Sequence, residues 1–323
     1  MLARALGASL VAVLLVLVIA GDRVAPNTAS EQFVDRAWSP PMRLQFERGQ
    51  SFVHAQRLED RLARTFSDDA SRRVPVDWFA DGRLLSAAAS EPVLLLGADA
   101  LGRDVLARVA GAARWSLGVA VAGALLALAL GTLLGAAASA GNRTLDRIIV
   151  SVADALASLP VVYIVLTLRA ALPLVLSPET VFVTLALLFG LVGWPFTARG
   201  ARGIFMRERA LPYADAARAA GASRSRIFRV HLLPASLGFL VTQFLLLVPG
   251  FLISEVTLSF LGLGFPEPTP SWGTMLQAAA NVRVIAEAPW MLAPAVAIAL
   301  TSLALHLLAG TRHDALTVFS RAR

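Results

Sequence analysis

The sequence predicts an all-α integral membrane protein with about six transmembrane helices and one large extracytoplasmic insertion. Of its 323 residues, 57% are hydrophobic and only 16% are charged, and the mean hydropathy is +0.67. The apolar residues are collected in runs long enough to cross about 30 Å of hydrocarbon at about 1.5 Å per residue. A soluble globular domain would contain fewer apolar residues and would not group them in this way.

Five uninterrupted apolar runs are each predicted to form one span. They cover residues 6–21, 115–142, 180–198, 232–254 and 288–305. A sixth run, residues 148–168, is interrupted by Asp154. Since Asp154 lies only about 10 Å along a helix axis from Arg147, we expect it near one headgroup layer, with Arg169 near the other.

The first run has two interpretations. It is either a retained span or a cleaved signal peptide, because Arg4 precedes a short apolar core and residues 18–20 resemble a small-residue cleavage site. Cleavage would leave the orientation of every later span unchanged.

The arginines predict the orientation of the chain. There are 29 basic residues, all of them arginine, and the formal net charge is +7. With a cytoplasmic N-terminus, fourteen arginines fall in inside segments and only Arg169 and Arg283 fall in short outside loops. Because short cytoplasmic loops are enriched in basic residues, both termini are predicted to lie on the cytoplasmic side of the membrane.

Residues 22–95 form the predicted extracytoplasmic insertion, which carries dense, balanced charge and scattered aromatic residues. Leu58, Leu62 and Phe66 recur at four-residue steps, so we expect an amphipathic helix over residues 51–66. The insertion can fold alone, bind a partner or only pack on the membrane part, and packing is the simplest of these interpretations.

The composition excludes several kinds of chemistry. Without lysine there is no phosphate-binding loop of the G-x-x-x-x-G-K-[ST] type and no Schiff base, and without cysteine there is no thiolate nucleophile. The four histidines lie on separate segments with no metal-ligand spacing. We therefore predict no catalytic, cofactor-binding or metal-binding residue, and we expect membrane lipid but no nucleic acid as a partner.

The most informative stretch lies within residues 199–234. Pro212 suits the first turn of a helix, Asp215 complements the positive end of the helix dipole, and Gly221 can take the left-handed conformation that ends the helix. The sequence thus predicts a slim, alanine-rich helix, a tight turn and a second helix. Composition alone would favour an ordinary basic inside loop.

This stretch resembles the cytoplasmic EAA signature of ABC-importer permeases, the membrane subunits of binding-protein-dependent uptake systems. The residues that carry the resemblance are Tyr213, Asp215, Ala216, Ala217, Gly221, Leu233 and Pro234. Asp215 stands where the family usually has Glu, and His231 stands where the general pattern has Ile. Residues 96–117 and 258–273 are similar to two segments of C-type subunits in the dipeptide, oligopeptide and nickel branch.

The resemblance covers residues 96–308 and implies a transport subunit, not an enzyme. It implies a five-span permease core over residues 96–310 with an ATPase-coupling loop at 199–234, preceded by a span at 1–21 and followed by a cytoplasmic tail at 311–323. The implied partners are a second homologous permease subunit, two ABC ATPase subunits that carry the ATP, and an extracytoplasmic solute-binding protein. Peptides or a related small solute are the implied cargo, and no cofactor is implied for this chain.

Four residues are candidates for the translocation path or its gate: Glu255, Gly262, Gly264 and Trp272. Ionisable residues at membrane depth are functional candidates by default, and Glu255 either faces the path or snorkels outward. The glycines permit tight turns, and Trp272 favours the membrane interface. We interpret residues 258–273 as a re-entrant or gating loop, with a rigid connector as the alternative.

Residues 102–116 can lie in the membrane interface before the chain enters the bilayer, and the alternative is that they are merely the end of the insertion. Val105, Leu106, Val109 and Ala113 would face one side, opposite Arg103, Arg108 and Arg114.

A second hypothesis for the whole chain is a membrane-anchored sensor or assembly factor that acts through residues 22–95. It explains the insertion better and the three ordered motifs much worse. A secondary transporter is a third possibility, but the sequence shows neither repeated halves nor paired broken helices.

Overall fold

The computed structural model describes the backbone of residues 2–61, 63–87, 91–173 and 176–321. It describes the side chains of residues 5–61, 63–87, 91–160, 162–173 and 176–309. Apart from one small sheet, the described chain is mainly helical, so the predicted fold class is confirmed.

Eleven α-helices occur in the described residues. They are α1 (Leu2–Ala20), α2 (Val105–Ala138), α3 (Arg143–Ala157), α4 (Val161–Ala170), α5 (Pro178–Arg209), α6 (Pro212–Ala219), α7 (Arg224–Ile227), α8 (Leu233–Phe260), α9 (Trp272–Ala278), α10 (Val282–Glu287) and α11 (Ala293–Arg321). Five helical segments are long and apolar enough to cross a membrane: those containing α1, α2, α5, α8 and α11.

The sixth predicted span is not a straight helix, because α3 and α4 are bent by 86° at a short break. Pro160 lies in this break, and proline both lacks a backbone N–H and disfavours a helical conformation for the residue before it. The pair is either one broken span or a re-entrant loop, so the described chain has five spans or six. Asp154 of α3 is paired with Arg199 of α5 at 2.9 Å.

The insertion contains an antiparallel sheet, and the amphipathic helix predicted over residues 51–66 is wrong. The strands are β1 (Gln45–Glu47), β2 (Gln50–Asp60), β3 (Thr65–Trp78) and β4 (Leu85–Ala87), in the order β1-β2-β3-β4. Leu58 and Phe66 lie directly opposite each other across the β2–β3 hairpin, so their spacing reflects cross-strand pairing. Leu62, the third residue of that pattern, lies outside the described residues.

The chain divides into two compact units. The first comprises residues 1–7, 119–254 and 304–323, and the second comprises residues 8–118 and 255–303. In the first unit, α2, α3 and α5 pack around a cluster of Ala138, Ile149, Ala153, Trp194 and Ala198. In the second unit, the sheet packs on a buried cluster that includes Val53, Val74, Val76, Val93 and Leu94.

Asp104 holds the N-terminus of α2 in the second unit. Its Oδ1 accepts hydrogen bonds from the backbone N–H groups of Leu106, at 2.8 Å, and Ala107, at 3.4 Å. Its Oδ2 accepts one from the Asn27 side chain at 2.9 Å, and the same amide nitrogen donates to the Val93 carbonyl at 2.7 Å. Asp104 therefore caps the helix and ties it to the insertion.

Residues 102–116 pack within the second unit, which agrees with the alternative that they are the end of the insertion. The helix α2 runs without a break from Val105 to Ala138, and both faces of its first turns are buried. Arg103 and Arg108 are only 7% and 2% exposed, because carboxylates inside the unit neutralise them. Arg114, by contrast, is exposed and lies 3.1 Å from Asp22.

The helix cap Asp104 predicts that the free energy of unfolding depends on pH. Burial raises the pKa of Asp104 from 3.8 to about 6. Because the folded state binds this proton more tightly than the unfolded state, the group favours folding most below about pH 4, and this contribution is lost as the pH rises through about 6. We expect the free energy of unfolding of the wild type to fall by about 2–3 kcal/mol across this range through Asp104 alone.

The variant Asp104→Asn keeps a capping oxygen but does not titrate. Thermal unfolding of both purified proteins over a pH series measures the difference between their profiles. Parallel profiles for the wild type and Asp104→Asn would contradict this assignment.

Candidate functional site

The predicted site residues fall into two groups that belong to different units. The seven residues of the 199–234 segment belong to the first unit, and the four path or gate candidates belong to the second. Each group is described by itself below.

The helix α6 exposes a face of small side chains. Its inward residues are Ala214, which is 1% exposed, and Ala217, which packs on a cluster of Ala201, Phe205, Ile227 and Leu232. Its exposed residues include Asp215, Ala216 and Ala219. The Asp215 carboxylate lies in the first turn, 2.7 Å from the Arg218 guanidinium. The backbone of another protein can approach such a face closely.

Gly221 ends this segment in the left-handed conformation, with a φ of +79°, as predicted. Its N–H donates to the Arg218 carbonyl and the Ala222 N–H donates to the Ala217 carbonyl, each at 3.0 Å. These two bonds form a Schellman motif, which satisfies carbonyls at the end of the helix. A Cβ at Gly221 would meet no atom within 4 Å, so backbone conformation alone favours glycine here.

The chain after Gly221 leads directly into α8. The Ser223 side chain caps α7 by accepting a hydrogen bond from the Arg226 N–H at 3.3 Å. Residues 228–232 then form one π-helical turn, and α8 begins at Leu233 with Pro234 in its first turn. The ring of Tyr213 contacts that of His231 at a centroid distance of 5.2 Å, which joins α6 to the π turn.

The 258–273 loop is folded back against the end of α8. Gly262 has a φ of +79°, its N–H donates to the Ser259 carbonyl at 3.1 Å, and the Leu263 N–H donates to the Leu258 carbonyl at 2.8 Å. This is the same Schellman arrangement as at Gly221. At Gly264 a side chain would overlap the Ser259 hydroxyl. The close packing around Gly264 favours the rigid connector for residues 258–264.

Glu255 is completely buried in the second unit and does not snorkel outward. Its Oε1 accepts a hydrogen bond from the Ser259 hydroxyl at 2.6 Å. The hydroxyls of Ser116 and Ser271 lie close to the carboxyl, but Oε2 accepts no well-aligned hydrogen bond from any described residue. Sequence reasoning missed these three serines, because isolated serines form no pattern.

That Trp272 favours the membrane interface stays a prediction, and its side chain is fully buried in the protein. Its indole N–H donates to the Val109 carbonyl at 3.0 Å, and its backbone N–H donates to the Ser116 hydroxyl at 3.1 Å. Trp272 therefore anchors the end of the 258–273 loop to α2. Whether Glu255, Gly262, Gly264 and Trp272 line a path stays a prediction.

An ionic cluster that sequence reasoning missed lies beside this loop. Arg103 Nε lies 2.7 Å from Asp99, and Arg103 Nη1 lies 2.6 Å from Glu267. Arg108 Nη2 lies 3.2 Å from the other carboxylate oxygen of Glu267. Arg103 and Arg108 had been expected on an exposed polar face, and Glu267 carried no signal because its partners are 164 and 159 residues away along the chain.

Among the described residues, no group of three or more His, Cys, Asp or Glu side chains is arranged to hold a metal ion.

The surroundings of Glu255 predict how substitutions affect stability. Glu255→Ala removes the acceptor of the buried Ser259 hydroxyl and is expected to lower the free energy of unfolding by about 1–3 kcal/mol. Glu255→Gln keeps an acceptor oxygen in the same place and should cost less. Thermal unfolding of the purified protein in detergent compares the two variants, and equal stability of Glu255→Ala and the wild type would refute this account.

Residues 127–316, more than half of the chain, match the family described as binding-protein-dependent transport system inner membrane component. A putative peptide permease protein of Brucella ovis is 36% identical over 220 residues, which cover 68% of this chain and 71% of that protein. A putative peptide transport system permease protein of Brucella suis is 36% identical over 223 residues, covering 69% and 72%. The oligopeptide transport system permease protein OppC of Haemophilus influenzae is 33% identical over 239 residues, covering 73% and 74%.

The family match contains both groups of site residues and three of the five long apolar helices in full or in large part. The chain is therefore a multi-pass inner-membrane component of a transport system with further components, and not an enzyme. The hypothesis of a sensor or assembly factor finds no support in these similarities. The chain belongs to the family of binding-protein-dependent transport system inner membrane components, the permease subunits of ABC importers, and its relatives place it in the oligopeptide branch.

Proposed function

We propose that this chain forms half of the membrane pathway of an importer that moves peptides or a related small solute inward. The cargo class rests on the names of its relatives, which are peptide and oligopeptide permease proteins. The observation that carries the coupling role is α6, an exposed small-residue face with one carboxylate, ended by the Gly221 turn.

The proposed partners are a second homologous permease subunit, two ABC ATPase subunits and an extracytoplasmic solute-binding protein. Membrane lipid surrounds the spans, and no nucleic acid takes part. Because the chain has no lysine for a phosphate-binding loop, ATP is bound and hydrolysed on the ATPase subunits, and this chain needs no cofactor.

The packing around α6 provides a route for mechanical coupling. Closure of the ATPase dimer would push α6, and the push would pass through the Gly221 turn to α7 and the π turn. Phe205 of α5 packs edge-on against Phe228 of the π turn, with ring centroids 5.6 Å apart, so α5 and the start of α8 would move together. The conformational change that drives transport would then follow from rigid movement of packed helices.

Substitution of Gly221 tests this coupling. Any residue with a Cβ atom strains the left-handed turn by roughly 1–2 kcal/mol, and a β-branched residue more. Gly221→Val should leave the chain inserted while peptide uptake and transport-linked ATPase activity of the complex fall. Gly221→Asn, which tolerates this conformation, should retain most uptake.

The control for this experiment is Ser225→Ala, because Ser225 is exposed and does not cap α7. Ser223→Ala is unsuitable as a control, because it removes the cap of α7. Normal peptide uptake by Gly221→Val would show that the segment is only a basic connector.

We propose further that both termini are cytoplasmic and that α3 and α4 together make one crossing. Since the chain has no native cysteine, single cysteines report their side of the membrane without background. Cysteines at the exposed positions Ala70 and Glu179 should react with an impermeant maleimide on intact cells. Cysteines at Thr144 and Ser225, also exposed, should react only after permeabilisation.

Labelling at Thr144 and Glu179 distinguishes one crossing from a re-entrant loop, because Thr144 lies at the start of α3 and Glu179 follows α4. Labelling of both positions from the same side would mean that α3 and α4 form a re-entrant loop and that the six-span topology is wrong.

A further inference from the structure

We propose that Arg103 and Arg108 form a carboxylate-binding site that Glu267 occupies at rest and that the free C-terminal carboxylate of a peptide enters when residues 266–270 move aside. The peptide assignment rests on the proposed function, whereas the site itself rests on the geometry of the second unit alone.

Two buried cations converge on one exposed anion. The side chains of Arg103 and Arg108 are 8% and 2% exposed, but that of Glu267 is 54% exposed. Arg103 contacts Oε2 of Glu267 at 2.6 Å and Arg108 contacts Oε1 at 3.2 Å, so each guanidinium holds one oxygen of the same carboxylate. The exposed Glu267 carboxylate thus covers the two guanidinium groups, which would otherwise face solvent.

The site is preorganised from behind by Asp99. The Asp99 Oδ2 accepts a hydrogen bond from Arg103 Nε at 2.7 Å and lies 3.6 Å from Arg108 Nε. The Asp99 Oδ1 accepts from the backbone N–H groups of Leu101, at 2.9 Å, and Arg103, at 3.0 Å. Because these contacts do not involve Glu267, Asp99 continues to hold the Arg103 guanidinium and remains beside Arg108 when Glu267 leaves.

The charges require an anion at this position. Arg103 and Arg108 carry two positive charges, and Asp99 supplies one negative charge from within, so the second must come from Glu267 or from a replacement. Burying the two cations without it would be strongly unfavourable. Arg108 Nη1 is also buried and donates to no described residue, so the site keeps a donor that Glu267 does not satisfy.

The position of Glu267 makes its exchange feasible. It lies between two buried aromatic residues, Phe265, which is 4% exposed, and Trp272, which is fully buried. The intervening residues 266–270 form no helix or strand. Movement of this short segment exposes the arginines while the anchors on both sides stay packed. A carboxylate fits the vacated position because guanidinium forks match its two oxygens.

Chemical rescue of Glu267→Ala in the full-length protein tests the site. In detergent or nanodiscs, this variant should melt at a lower temperature than the wild type. Sodium acetate should restore at least half of that loss, whereas sodium chloride at equal ionic strength should not. The wild type, whose site is filled, should not respond to acetate.

Two further variants make the readout specific. Glu287→Ala is the matched control, because Glu287 also pairs with an arginine, Arg283 at 2.8 Å, but both side chains are exposed. It should neither lower the melting temperature nor respond to acetate. Adding Arg108→Gln to Glu267→Ala should abolish the acetate response. If Glu267→Ala cannot be purified folded, its folded yield with acetate or chloride in the extraction buffer is the readout.

The ligand assignment is tested on the same variant with trialanine and with trialanine amide. Only the peptide with a free carboxylate should raise the melting temperature, and it should act at lower concentration than acetate. Absence of any acetate effect on stability or yield overturns the site, and peptide uptake by the wild type would still support the proposed function. Equal effects of the free and amidated peptides overturn the peptide assignment.

Discussion

Two glycine turns govern the rest of this structure. A helix ends with unpaired backbone carbonyls, which must find partners where the chain leaves the helix. Gly221 after α6 and Gly262 after α8 satisfy them with the same pair of bonds and the same φ of +79°. The first turn positions α6 and the second folds the 258–273 loop onto α8, so both groups of predicted site residues depend on one local motif.

Charge burial is the second constraint, and it is concentrated where α2 begins. Asp104 is fully buried as the helix cap, and the ionic cluster of Arg103, Arg108, Asp99 and Glu267 lies in the same unit. Removing one member of a buried ionic group leaves its partners unpaired, which is strongly unfavourable. These ionic contacts therefore fix the position of α2 relative to the 258–273 loop. The alanine and valine side chains of α2 alone would not specify that position.

The sequence predicts the features that depend on interactions between residues close together along the chain. The apolar runs predict the spans, and the left-handed Gly221 follows from a helix-ending pattern within a few residues. Three features are not predicted because a distant segment intervenes. The β2–β3 pairing places Leu58 opposite Phe66, the carboxylate of Glu267 lets Arg103 and Arg108 be buried, and the Val109 carbonyl takes the Trp272 indole inside the protein. None of these partners is visible in a local pattern.

The Schellman turn has different surroundings at Gly221 and at Gly262. Beyond Gly262 the chain completes its own packing, since Gly264 touches Ser259 and Trp272 is buried. Around Gly221 there is open space, and the exposed Ala216 and Ala219 stand beside Tyr213, which is 37% exposed. The exposed apolar residues beside the Gly221 turn are not stabilised by packing against their own chain. These exposed residues support the view that the 199–234 segment is completed by another protein, whereas Gly264 and Trp272 of the 258–273 loop are packed against their own chain.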